Sequence, residues 1–200
     1  MNISVFCGAT LPNNIHFTQA ATRLGHLLAS AGHTLLYGGS NLGLMGNVSG
    51  AALEKGGRVV GVIPTFFSEE IILSQPVSEL VRVDSIAERK EYLLSHSDAF
   101  IALPGGIGTL DEALEVMVMN QLQIADGRRV LDGSYRTKPM ILLNLDGYYN
   151  PFLAQLRRAQ DEGLLRSEAG LMAVESVDEC QSILNNLSTP SNQSTPKNQN

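Results

Sequence analysis

Glu112 closes the run Pro104-Gly105-Gly106-Ile107-Gly108-Thr109-Leu110-Asp111-Glu112, which joins a glycine turn to a carboxylate within nine positions. The turn follows a short apolar segment and opens a helix-like pattern. Glycines let the backbone turn without a Cβ in the way, so several N–H groups can converge on one anion where the helix dipole is positive. Gly105, Gly106, Gly108 and Thr109 therefore read as a phosphate cradle. A carboxylate one helical turn from a bound phosphate reaches the sugar carbon rather than the phosphate, which makes Glu112 the candidate acid or base. Glu115 is a second candidate near the same face, whereas Asp111 is expected to point elsewhere. The same residues also admit a purely structural reading. With Thr109 as N-cap, Glu112 stands at the third helical position, and Thr-x-x-Glu is the pattern of a capping box. The run lacks the Gly-Lys-Ser/Thr ending of a P-loop and the G-x-G-x-x-G spacing of a dinucleotide fingerprint.

Arg89 and Lys90 precede the strand that delivers this cradle, and a guanidinium suits a phosphate or an orienting contact to a carboxylate. Within Glu88-Arg89-Lys90-Glu91 the plain alternative is a solvated charged helix face. A second glycine turn, Gly38 to Gly46, includes Gly39 as a candidate contact. Glu69 and Glu70, after the third strand, are placed either to hydrogen-bond a base edge or simply in solvent. His16, His26, His33 and His96 show no ligand spacing, so no metal site is expected. None of Lys55, Lys90, Lys138 and Lys197 has a context that argues for a Schiff base with a pyridoxal cofactor, and no cofactor is expected.

The elements that position these residues alternate between strand and helix along most of the chain. Apolar strands are predicted at Ile3–Cys7, Thr34–Tyr37, Arg58–Ile63, Glu79–Val83, Ala99–Leu103, Met140–Leu145 and Leu171–Val174. Helices are predicted after a cap at Asn13 or Asn14, then over Val48–Lys55, Ser85–Ser95, Thr109–Ile124, Tyr149–Glu162 and Val177–Leu187. The helix after the cradle is expected to pack Leu110, Leu114, Met117, Val118 and Leu122 on a sheet. Thr65 to Ser78 has no clear period and suits a lid over a cleft; Ala125 to Lys138 reads as a polar, basic loop. Strands that are continuous apolar runs imply a mostly parallel sheet with helices on both faces. In such sheets ligands collect outside the carboxyl ends of the strands, where both glycine turns fall. One domain is expected over residues 1–187, with 188–200, STPSNQSTPKNQN, a disordered polar tail.

The 200 residues carry a net charge of −6 and are 44% hydrophobic, which suits a globular domain and argues against a nucleic-acid or anionic-membrane partner. MNISVFCG enters a strand at once, without a basic leader, and no apolar run nears the length of a membrane span. The only cysteines, Cys7 and Cys180, lie far apart and read as reduced cytoplasmic thiols rather than a disulfide.

Pro-Gly-Gly-x-Gly-Thr-x-x-Glu at Pro104 to Glu112 resembles the signature of the "lonely guy" (LOG) family, the cytokinin riboside 5′-monophosphate phosphoribohydrolases. Glu88-Arg89-Lys90, the run Ser97 to Leu103, Tyr37 to Gly46 and Leu145 to Asn150 are similar to the same family, in the same order. The resemblance implies a Rossmann-like fold, dimers or larger assemblies, and cleavage of a nucleoside 5′-monophosphate to free base and ribose 5-phosphate. It implies that Gly105, Gly106, Gly108 and Thr109 hold the phosphate, that Glu112 faces the ribose with Arg89 as catalytic partner, and that Lys90 lies nearby. A family glutamate maps onto Glu69 or Glu70. Ser40, Ala87 and Val118 depart from residues common in the family, and the loop Gly127 to Lys138 is longer than in compact plant members. A carrier that binds a nucleotide or cofactor intact, similar to molybdenum-cofactor carriers, is the alternative on the same scaffold.

Overall fold

The computed structural model describes residues 1–67, 77–125, 128–165 and 169–188. In chain order the elements are β1 (Asn2–Phe6), α1 (Ile15–Ser30), β2 (Thr34–Tyr37), α2 (Gly43–Glu54), β3 (Val59–Pro64), β4 (Glu79–Val83), α3 (Ile86–His96), β5 (Ala99–Ala102), α4 (Ile107–Leu122), β6 (Ile124–Ala125), β7 (Arg128–Arg129), β8 (Met140–Leu143), α5 (Asn150–Asp161), β9 (Leu171–Val174) and α6 (Val177–Ser188). Seven strands form one sheet in the order β4-β3-β2-β1-β5-β8-β9, every neighbouring pair parallel. The inner strands β3, β5 and β8 carry no polar side chain because both of their faces are covered: every residue of the three is buried. The two edge strands, β4 and β9, each present an exposed residue to solvent.

Two cores flank the sheet. On one face Leu24 and Leu28 of α1, Val48 of α2, and Cys180 and Leu184 of α6 pack together. On the other, Leu93 and Leu94 of α3 meet Ala113, Val116 and Met117 of α4 and the Phe152 side of α5. The sheet is therefore wound on both sides, with β1 at its centre. Gly25 lets α1 lie directly on α2, for a Cβ there would sit 2.3 Å from the Val48 carbonyl oxygen.

Several boundaries differ from the sequence reading, each for a local reason. Helix α4 starts at Ile107 with Gly106 as N-cap, so Thr109 is not the cap and Glu112 takes no part in a capping box. The reciprocal cap belongs to α3 instead: the Ser85 side chain accepts from the Glu88 N–H, and Glu88 accepts from the Asp84 N–H. Helix α2 starts at Gly43, five residues early, because the Leu44 and Met45 N–H groups bond the Gly8 carbonyl on β1's exit loop. Leu114, Val118 and Leu122 face outward rather than onto the sheet, at 40–47% exposure; Thr109, Glu112, Ala113, Val116, Met117 and Asn120 are the buried face. The basic loop contains the small antiparallel pair β6–β7. Ser188 still belongs to α6. Glu69 and Glu70, most of the lid proposed over 65–78, and residues 189–200 lie outside the described residues.

No helix among the described residues is long and apolar enough to cross a membrane, and no group of three or more His, Cys, Asp or Glu there is placed to hold a metal ion.

Candidate active site

The switch point of the sheet lies at β1, which has β2 on one side and β5 on the other. The chain leaves β1 toward a helix on one face and β5 toward a helix on the opposite face, so a crevice opens between the two exit loops. A cavity of about 550 Å³ occupies it. One wall is the loop Gly8 to Asn13 after β1; facing it are Gly105, Gly106, Gly108 and Thr109. Cys7 lies on the floor with Arg89 and Glu112 beside it, while Phe17, Met45 and Tyr148 make the apolar part of the lining.

The cradle is built by an uncapped helix end. Gly106 makes no side-chain cap, and Leu110 is the first residue whose N–H finds a helical carbonyl, that of Gly106 at 3.2 Å. The N–H groups of Ile107, Gly108 and Thr109 have no carbonyl one turn earlier, and they sit at the positive end of the dipole. A Cβ on Gly106 or Gly108 would meet no atom within 4 Å, so these positions are bare toward the cavity. Gly105 is different: a Cβ there would fall 2.1 Å from Thr109 Oγ1. Glycine at 105 is what lets the buried threonine pack beneath the turn.

Glu112 projects from α4 about 7.5 Å along the helix axis from Ile107. It is 5% exposed, and Arg89 Nη2 reaches it from α3 at 3.4 Å. That separation is longer than the 2.7–2.9 Å typical of a charge-assisted hydrogen bond, so the pair is close but not locked. Burial pushes the Glu112 carboxyl up to about 7; Arg89 and Lys90 pull against that shift, and Asp111 and Glu115 add to it. Near neutral pH the group is poised between its two charge states. The Arg89 Nε is buried with no hydrogen-bond partner, a donor left for a ligand in the cavity.

The structure brings together Arg89, Glu112, Gly105, Gly106, Gly108 and Thr109 around one space. It places Lys90 elsewhere, as a strut between α3 and α4 whose Nζ lies 3.0 Å from Asp111 and 2.7 Å from Glu115. Asp111 and Glu115 are thereby directed at Lys90. Gly39 is not in the cavity lining either. It takes a left-handed φ of +79° against Ile63 and Val62 of β3, while a Cβ on its neighbour Gly38 would crowd the Met45 side chain at 3.2 Å. Ser40 accepts from the Leu42 N–H and holds this turn. Glu70 falls outside the described residues.

Sequence reasoning missed the wall from Gly8 to Asn13 and the contribution of Tyr148. The first had a signal: Cys7-Gly8 also ends a strand ahead of a helix. The second lay in a motif whose role no local pattern reveals.

Fold and site together define a Rossmann-like α/β protein with an uncapped helix N-terminus and a buried acid–arginine pair at its switch point. Comparison with known proteins narrows this class. The family model described as "Possible lysine decarboxylase" matches residues 45–187. Cytokinin riboside 5′-monophosphate phosphoribohydrolase LOG1 of Arabidopsis thaliana is 42% identical over 84% of this chain and 73% of its own length. Its counterpart LOG of Oryza sativa subsp. japonica is 41% identical over 84% of this chain and 64% of its own length. Among solved structures, the molybdenum cofactor binding protein of Rippkaea orientalis superposes with a TM-score of 0.67 at 25% identity, covering 94% of this chain and 97% of that one. The molybdenum cofactor carrier protein of Chlamydomonas reinhardtii gives 0.66 at 22% identity over 93% and 96%, a likeness of fold. The chain belongs to the LOG family of phosphoribohydrolases.

Proposed function

We propose that the chain hydrolyses the N-glycosidic bond of a nucleoside 5′-monophosphate of the AMP type, N6-modified adenines included, releasing the free base and ribose 5-phosphate. The observation that carries this reading is the placement of a buried carboxyl and a guanidinium about one and a half helical turns from an uncapped helix N-terminus. A ribose ring spans that gap, with its 5′-phosphate on the N–H groups of α4 and C1′ beside Glu112. As the C1′–N bond breaks, its electron pair leaves with the base and positive charge builds on the ribose. The Glu112 carboxylate stabilises that charge and takes a proton from the water whose oxygen adds to C1′, and the departing base nitrogen picks up a proton in turn, so that base and ribose 5-phosphate leave with water's two hydrogens shared between them. Arg89 holds Glu112 in place and favours its ionised form.

The test is base release from AMP, isopentenyladenosine monophosphate, GMP, CMP and unphosphorylated adenosine, followed by chromatography. AMP-type nucleotides are expected to yield base and ribose 5-phosphate. Adenosine is expected to lose at least about a hundredfold in kcat/KM, because the phosphate supplies the binding energy that positions the sugar. Nucleotide bound but never cleaved would replace the hydrolase by the carrier, the reading favoured by the likeness to the Rippkaea orientalis protein.

The active assembly is a homodimer or a larger homo-oligomer on this reading. Leu114, Val118 and Leu122 repeat every four residues along the outer face of α4, beside a groove of about 960 Å³ between α3, α4 and the β6–β7 segment. Glu91, Glu115 and Arg136 line that groove, so charges of both signs are available to a two-fold contact in which each patch meets its own copy. Val118→Arg is expected to convert the assembly to monomers in sedimentation experiments. A wild type that sediments as a monomer at micromolar concentration would overturn the assembly. Cys7 and Cys180, both buried and free, support a reducing, cytoplasmic setting.

A further inference from the structure

Two neighbouring tyrosines hold the turn that leads into α4. After β8 the chain makes a 3-10 turn over Leu145–Gly147 in which Asp146 adopts a left-handed φ of 52°. The Asp146 carboxylate anchors this turn by accepting from Asn14 Nδ2 at 2.8 Å, with His16 Nδ1 at 3.1 Å, so the turn is tied to the cap of α1. From it project Tyr148 and Tyr149. The buried Tyr149 hydroxyl donates to the Leu103 carbonyl at 2.6 Å, and the Tyr148 hydroxyl donates to the Gly105 carbonyl at 2.7 Å. Pro104 lies between the two held carbonyls.

The two bonds do different work. Tyr149 is 2% exposed and belongs to the core. Tyr148 is 44% exposed, lines the cavity, and holds its ring edge-on against Phe17 and Tyr149. Its acceptor belongs to the peptide between Gly105 and Gly106, where no side chain on either residue opposes rotation of the peptide plane. A trans peptide is planar, so its C=O and N–H point in opposite directions. Holding the Gly105 oxygen against Tyr148 fixes the direction of the Gly106 N–H. A reversed peptide would put the Gly105 carbonyl oxygen where the Gly106 N–H now points.

We infer that Tyr148 is a positioning residue for the phosphate: its hydroxyl locks the Gly105–Gly106 peptide in the orientation that receives the 5′-phosphate. This rests on the proposed reading of the cavity as a nucleotide 5′-phosphate site. Glycine supplies the freedom to make the turn, and the tyrosine removes the freedom that would spoil it.

The test compares wild type and Tyr148→Phe for binding of ribose 5-phosphate by calorimetry and for turnover of AMP. The phenyl ring keeps the contacts to Phe17 and Tyr149, and a thermal melt checks that the fold is unchanged. The variant is expected to bind ribose 5-phosphate about five- to tenfold more weakly, the effect of one hydrogen bond, with KM for AMP raised similarly and kcat within about twofold. Equal affinity of the two proteins for ribose 5-phosphate would overturn the lock while leaving the hydrolase reading intact. A fall in kcat at unchanged affinity would also overturn it. Failure of the wild type itself to bind ribose 5-phosphate would remove the phosphate site, and the lock with it.

Discussion

Glu112→Gln is expected to lower kcat for AMP about a thousandfold while the nucleotide still binds, since general acid–base groups commonly contribute between about a hundredfold and ten-thousandfold. The amide keeps the size and a hydrogen-bonding end, but carries no negative charge for the ribosyl cation and cannot take the proton of water. Steady-state rates together with binding of AMP to the variant separate the two effects. Loss of binding in parallel with rate would move Glu112 from chemistry to architecture. The same substitution has a consequence for the fold. Burial raises the Glu112 pKa from 4.5 to about 7. Below about pH 4.5 the carboxyl is neutral in both folded and unfolded chains; between there and 7 the unfolded chain ionises while the folded one keeps its proton. The stability tied to this proton is therefore present at low pH, falls as pH rises toward 7, and stays lost above it. Glu112→Gln is expected to melt higher than wild type at pH 8 and to lose that advantage at pH 5.

Arg89→Ala is expected to cost between about a hundredfold and a thousandfold in kcat/KM, the scale seen when a preorganised charge partner of a reacting group is removed. It is also expected to shift the acid limb of the pH–rate profile to higher pH. The sign follows from the charges: the guanidinium favours ionised Glu112, so its removal raises the pKa, and the carboxylate forms only at higher pH. Arg89→Lys restores the charge but not the fork, so it is expected to recover the position of the limb better than the rate. A profile that falls in height without moving would show that Arg89 acts on the substrate rather than through Glu112.

The sequence carried the sheet well, inner and edge strands alike, because most of its strands are short, largely apolar runs bounded by turn residues. Thr34–Tyr37, Glu79–Val83 and Leu171–Val174 coincide with β2, β4 and β9. Helix α4 was harder to orient, since apolar residues circle most of it. Leu110, Met117 and Val116 turn inward, whereas Leu114, Val118 and Leu122 turn out; the period alone does not distinguish the side that meets the sheet from an outer side. Thr109 was a sound N-cap by type, but the cap falls three residues earlier, at Gly106, whose backbone is extended, and Thr109 packs inside the first turn instead. The acid, the arginine and the glycines of the site were legible as residue types in order along the chain. Lys90 was legible as part of the same cluster, yet consecutive residues on a helix point about 100° apart, and that rotation sends Arg89 to the cavity and Lys90 to Asp111 and Glu115. Tyr148 was beyond reach, because its partner is 43 residues away.

The cavity draws on the exit of β1, on α3, on the β5–α4 turn and on the turn after β8, so its parts are scattered from Cys7 to Tyr148. Every pairing in the main sheet is parallel and needs a crossover, so none of these parts meets another through a local hairpin. A chain with such distant pairings folds slowly for its size. Arg89 on α3 and Glu112 on α4 belong to the two helices that flank β5 in the chain, and β5 itself pairs with β1 on one side and β8 on the other. No short stretch of the chain therefore holds the parts of the cavity by itself, and the cavity exists only where the sheet is assembled.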